Sequence, residues 1–155
     1  MINKNETKKI KELVEKFFKK MEVEAKIDIM PFKDLTIPVE VKIEDPYYMI
    51  GQNGETLFEI QNLLKIMLKR QVAENIYVDL DINNYKKKKI EYLKELAKSN
   101  ADEAALSKKE IALSPMTPYE RRIVHMELSQ RQDIITESVG VDPRRKVIIK
   151  PQPRS

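Results

Sequence analysis

Tyr47-Tyr-Met-Ile-Gly-Gln-Asn-Gly-Glu-Thr-Leu-Phe-Glu-Ile-Gln-Asn-Leu-Leu64 sets two of the chain's three glycines, Gly51 and Gly54, between two apolar patterns. Ahead of them lies a short apolar turn. Behind them Leu57, Ile60, Leu64 and Met67 recur at helical spacing. A glycine has no Cβ, so a helix–Gly-x-x-Gly–helix junction lets another backbone come close. The N–H groups opening the second helix then suit an anion such as a phosphate. The same pair also fits a tight turn with no ligand. The flanking elements have to decide.

Upstream, Ile10, Leu13, Val14, Phe17, Phe18 and Met21 mark an amphipathic helix over about 4–21. Two alternating runs follow, Val23–Met30 and Thr36–Ile43, split by Pro31 and Asp34. Both read as strands, and Pro38 predicts a sheet edge where the second begins. Downstream, Asn75–Ile82 alternates as a third strand. Residues 84–107 then form one long helix on pattern, with Ile90, Leu93, Ala97, Ala101 and Ala104 on one side; Lys86 to Lys89 fit a phosphate-reading run or, more simply, a solvated face. A smaller unit follows: a strand at Glu110–Leu113, a helix from Pro118 to Ser129, and strands at Asp133–Val139 and Arg145–Lys150. Thr117 is a plausible N-cap, with Pro118 at the first helical position. The closing Pro-Gln-Pro-Arg-Ser reads as a frayed end. The fold class is α+β, with units at 1–83 and 108–155 joined by the helix 84–107.

The 155 residues carry 29 basic and 25 acidic groups, a net charge of +4. Up to Lys109 the only Arg is Arg70. From Glu110 onward six of the eight basic residues are Arg. Lysine is the usual solvating charge, whereas the flat guanidinium fork fits phosphate and stacks on bases. The one histidine, His125, stands four residues after Arg121, about 40° apart around a helix and so on one face. Tyr119, Ile123 and Met126 are expected to pack on the opposite side. An exposed Arg–His pair can hold phosphate and stack on a base, with Arg122, Arg144, Arg145 and Lys146 as electrostatic support. The pair also fits an ordinary solvated helix face. If His125 touches phosphate, binding is expected to tighten from roughly pH 7.5 to 6 as the imidazole gains charge.

In this strand order, Ile50-Gly-Gln-Asn-Gly54 resembles the signature loop of the type II KH domain, which holds about four nucleotides of a single strand. Gln52 and Asn53 stand where such loops often carry Lys or Arg, so they offer hydrogen bonds without charge. Arg121-x-x-x-His125 resembles the R-three-H domain, a single-stranded nucleic-acid binder. Longer runs are similar to the Jag family of bacterial SpoIIIJ-associated proteins: Leu113–His125, Thr136–Gly140, Pro143–Pro151, Gly51–Leu57, and Asp81, Tyr85 and Leu93–Ala97. The resemblance covers about residues 46 to 151. It implies binding of single-stranded RNA, or single-stranded DNA, and a post-transcriptional role in cell elongation, cell shape or envelope control. It places the nucleic-acid contacts on Ile50, Gly51, Gln52, Asn53, Gly54, Arg121, Arg122, His125, Arg144, Arg145 and Lys146. The family often carries a further N-terminal Jag module, which this chain is expected to lack, so membrane recruitment is not carried over.

Enzyme chemistry finds little purchase. The absence of cysteine removes disulfides, thiolate zinc sites and a cysteine nucleophile. One histidine cannot supply a helical zinc pair, and no P-loop or GxGxxG occurs. No catalysis, metal, cofactor or small-molecule substrate is expected. No apolar run nears the ~20 residues that cross a bilayer, and the start lacks a secretory signal, which predicts a cytoplasmic protein without direct membrane insertion. The competing class is an interaction scaffold, a homodimer or a heterodimer with a small stand-alone KH protein, with nucleic acid secondary. Replacing Gly51 and Gly54 by Asp is expected to abolish RNA binding and spare the fold.

Overall fold

The computed structural model describes residues 4–152; Pro153 to Ser155, most of the expected frayed end, lie outside them. Its elements run α1 (Lys4–Lys20), β1 (Ala25–Ile29), β2 (Thr36–Ile43), α2 (Tyr47–Ile50), α3 (Glu55–Gln71), β3 (Tyr77–Ile82), α4 (Tyr85–Ser107), β4 (Ile111–Ala112), α5 (Pro118–Leu128), β5 (Ile134–Val139) and β6 (Lys146–Pro151). A single 3-10 turn, Gln52–Gly54, links α2 to α3. The chain is α+β and divides after Lys86 into two compact units.

In the first unit β1, β2 and β3 form one sheet in that order, β1 antiparallel and β3 parallel to β2. Alternation aims Ile27, Ile37, Val39, Val41, Val78, Leu80 and Ile82 at one face, where α1 and α3 supply Ile10, Val14, Phe18, Leu57, Ile60, Leu64 and Leu68. β2 is the central strand, and Pro38 stands where it begins, beyond the end of its ladder with β1, which is the local edge the sequence predicts. The Pro38 carbonyl accepts from the Met30 N–H at 3.0 Å. The reciprocal donor is what proline lacks, and the pairing with β1 stops beside it, at Ile29↔Val39.

In the second unit β6 lies between β4 and β5, antiparallel to both. β4 is shorter than expected, two residues paired to Ile148 and Ile149. The core collects Val124 and Leu128 of α5, Ile134 of β5, and Val147 and Ile149 of β6. Ala97, Ala101 and Ala104 of α4 complete it, all fully buried. The long helix therefore contributes a packing face of small side chains. Thr117 caps α5 with Pro118 behind it, and Glu120 closes a capping box by accepting from the Thr117 N–H at 2.8 Å.

Candidate nucleic-acid interface

The loop after α2 turns on three residues at positive φ: Gly51 at 70°, Asn53 at 53° and Gly54 at 83°. Asparagine tolerates that region better than other non-glycine residues. A Cβ on Gly51 would land on Thr56 Oγ1, and one on Gly54 would stand 2.8 Å from Tyr85 Cε1. Both glycines are thus demanded by the chain's own packing as well as by backbone angle. Replacing them by Asp is therefore expected to strain and destabilise the first unit, against the sequence expectation that the fold is spared. Gln52 and Asn53 are exposed at the tip, and Ile50 is half-buried against the first core. The opening turn of α3 has no side-chain cap on its N–H groups.

Sequence reasoning missed a cluster one turn into α3. Phe58 is 59% exposed, and Lys86 Nζ sits 6.0 Å from its ring centroid. The same ammonium donates to Gln61 Oε1 and Asp79 Oδ1, each at 2.7 Å. Gln61 Oε1 also accepts from the Leu80 N–H of strand β3. An aromatic ring interleaved with lysine was the available signal. It was missed because Phe58 lies outside the face marked by Leu57, Ile60, Leu64 and Met67, and Lys86 reads only together with Lys87, Lys88 and Lys89.

On α5 the structure reverses the expected faces. Val124 and Leu128 are buried together with Arg121, which is only 7% exposed, while Tyr119 and Met126 stand out in solvent. Arg121 Nη1 donates to the Met116 carbonyl and to Asp142 Oδ1, both at 2.8 Å. The guanidinium faces inward and is satisfied there, so it does not form an exposed platform with His125. A buried Arg needs such partners, and these lie 5 and 21 residues away in sequence. His125 is half-buried between two hydroxyls of β5, with Nδ1 2.7 Å from Thr136 Oγ1 and Nε2 2.7 Å from Ser138 Oγ. Burial, and then the nearby Arg121 charge, push the imidazole pKa below its ordinary 6.5. His125 is therefore uncharged near neutral pH, accepting from one hydroxyl and donating to the other. The gain of charge on acidification is thereby moved to more acid pH than the sequence reading expects.

The supporting basic residues differ in exposure. Arg122 on α5 and Arg144 in the β5–β6 loop are exposed, whereas Arg145 and Lys146 are half-buried where β6 begins. Arg145 Nε is buried without a hydrogen-bond partner. The loop is pinned by its own backbone: Arg144 N–H donates to Val141 O at 2.9 Å, and Met116 N–H to Arg145 O at 3.1 Å. Lys150 is paired with Glu137 across the strands. The first-unit loop and these second-unit arginines belong to separate compact units.

Residues 91–151 match the R-three-H domain family, a span from within α4 to the end of β6. The chain is 38% identical over 111 residues to the RNA-binding protein KhpB of Clostridium symbiosum, covering 72% of this chain and 50% of that one. It is 34% identical over 116 residues to RNA-binding protein KhpB of Bacillus subtilis, 74% of this chain and 56% of the relative. For the protein of that name in Lactiplantibacillus plantarum the identity is 34% over 101 residues, 65% and 31% of the two chains. The chain thus spans about half or less of the length of these curated relatives. Its second unit carries an R-three-H domain, on a chain similar over most of its length to proteins named as RNA-binding.

Proposed function

We propose that this protein binds single-stranded RNA without catalysing a reaction on it, and that it acts as a cytoplasmic post-transcriptional regulator linked to cell elongation or envelope control. The observation that carries the reading is the β5–β6 loop. Exposed Arg144 lies there beside half-buried Arg145 and Lys146, within the span matching the R-three-H domain. Guanidinium groups in such a loop hold phosphates and stack on unpaired bases. Arg122 supplies a further exposed cation from α5. The names of the relatives support RNA as the polymer.

The first unit is read as a type II KH domain. Its αββααβ order, its β2–β3 parallel pair and the Ile50–Gly54 loop between α2 and α3 support that assignment. Exposed Gln52 and Asn53 would meet the RNA backbone there by hydrogen bonds, with the uncapped N–H groups of α3 behind them. Among the described residues no group of His, Cys, Asp and Glu is placed to hold a metal ion, and no helix is long and apolar enough to cross a membrane.

A second reading has its own observation. Leu63 and Ile66 are 56% and 57% exposed on α3, in a groove with Phe17, Met67 and Arg70. That apolar face favours a protein partner, such as a second KH module, and makes RNA secondary. Titration of the full chain with a labelled oligoribonucleotide across a salt series separates the two. RNA binding through phosphates weakens as salt rises, with a log–log slope of about −0.7 per contact. A scaffold alone gives no saturable binding at any salt.

A further inference from the structure

Asp142 is the one carboxylate in the run Ser138–Lys150, which otherwise carries only basic and neutral residues. In a loop offered to RNA it has the wrong sign: a carboxylate beside a phosphate path costs Coulomb energy. Its position answers the difficulty. Asp142 Oδ1 accepts from buried Arg121 Nη1 at 2.8 Å, and the same nitrogen donates to the Met116 carbonyl. Met116 in turn donates its N–H to the Arg145 carbonyl. One guanidinium thus ties together the start of α5, the segment before it and the loop that carries Arg144 and Arg145. On the far side of the loop, His125 fixes Thr136 and Ser138 of β5 to the same helix.

We infer that Asp142 and Arg121 are positioning residues, an ion pair between an exposed carboxylate and a buried guanidinium that holds the β5–β6 loop in the shape in which Arg144 and Arg145 meet RNA. This rests on the RNA contact proposed above for that loop. Arg121 is 7% exposed and has little surface to give a phosphate or a base. Asp142 keeps a side chain 55% exposed, so its removal leaves the core of the unit in place. The pair acts on RNA only through the residues it orders.

The test exploits the sign of the charge. Asp142→Ala makes the full chain more positive, yet it is expected to weaken binding of a short labelled oligoribonucleotide about three- to ten-fold, the scale of one ordinary hydrogen bond lost at a solvent-exposed acceptor. Asp142→Asn keeps an acceptor oxygen at the same reach and is expected to restore most of the affinity. In Asp142→Ala the Arg144 and Met116 amides, bonded to Val141 O and Arg145 O, are expected to exchange with solvent faster. If Asp142 merely repels RNA, both variants bind tighter by similar factors, and that result overturns the inference. Unchanged amide exchange overturns it as well, whatever the affinity. Arg144→Gln tests the underlying site separately. Unchanged affinity there, beside loosened amides in Asp142→Ala, places the RNA path elsewhere, so that the site proposal fails and the role toward RNA falls with it.

Discussion

His125→Ala removes the two side-chain links between α5 and β5, the 2.7 Å contacts to Thr136 Oγ1 and Ser138 Oγ. A net hydrogen bond contributes about 0.5–1.5 kcal/mol, so two give roughly 1–3 kcal/mol. Thr136 and Ser138 are half-buried and can rotate toward water, which favours the lower half of that range. For a domain of this size about 1 kcal/mol moves the midpoint by roughly 4–8 °C. Thermal melts of the full chain, with hydrogen exchange of the β5 amides to identify the second unit's transition, read the loss. The pH dependence gives the sharper check. Burial, then Arg121, depress the folded pKa of His125 below 6.5, so in that window the unfolded chain binds more protons than the folded one. The stability that neutral His125 contributes is therefore complete above its ordinary value of 6.5 and is lost as pH falls through the folded pKa. The wild-type and His125→Ala midpoints should converge as pH drops through that window. A gap that widens on acidification would mean that the fold favours the imidazolium, and the neutral two-hydroxyl arrangement would be refuted.

Gly54→Ala puts a methyl 2.8 Å from Tyr85 Cε1 at φ +83°; it is expected to cost the first unit on the order of 1–3 kcal/mol in denaturant melts. Gln52→Lys, at an exposed tip position, should raise RNA affinity and steepen the salt dependence by about 0.7 in slope; an unchanged slope means that no phosphate passes Gln52. Thr117→Ala breaks the capping box on α5 and should cost about 0.5–2 kcal/mol of second-unit stability, read by its melting midpoint.

What the sequence revealed follows the range of the forces involved. Strands β1 to β3 and helices α1, α3 and α4 are written in local alternation, and the α+β class followed from periodicity alone. Thr117 and Pro118 announced the start of α5 because capping chemistry acts within one turn. Pro38 marked the local edge where β2 begins, but that β2 is central beyond it depends on where β1 stops, a fact of pairing between strands. The two glycines drew attention correctly, but Tyr85, which makes Gly54 obligatory, stands 31 residues later on another helix.

The Arg121–His125 spacing was read correctly as one face of a helix, and its environment was assigned the wrong way round. Tyr119, Ile123 and Met126 are the more apolar set, so hydropathy points them inward and leaves the charged pair outside. The opposite arrangement is held by internal partners: Asp142 and the Met116 carbonyl for Nη1 of the guanidinium, two hydroxyls for the imidazole nitrogens. None of those partners has a distinctive spacing from α5, and Thr136 and Ser138 look like ordinary strand residues. The arrangement separates the residues that define the motif from those that reach solvent. A buried Arg and a neutral His carry no titrating charge to the surface near neutral pH, so on the proposed reading they act on RNA through geometry alone. The solvent-facing cations of this set are Arg122 on α5 and Arg144 in the β5–β6 loop, and on the proposed reading it is these that meet the polymer's phosphates.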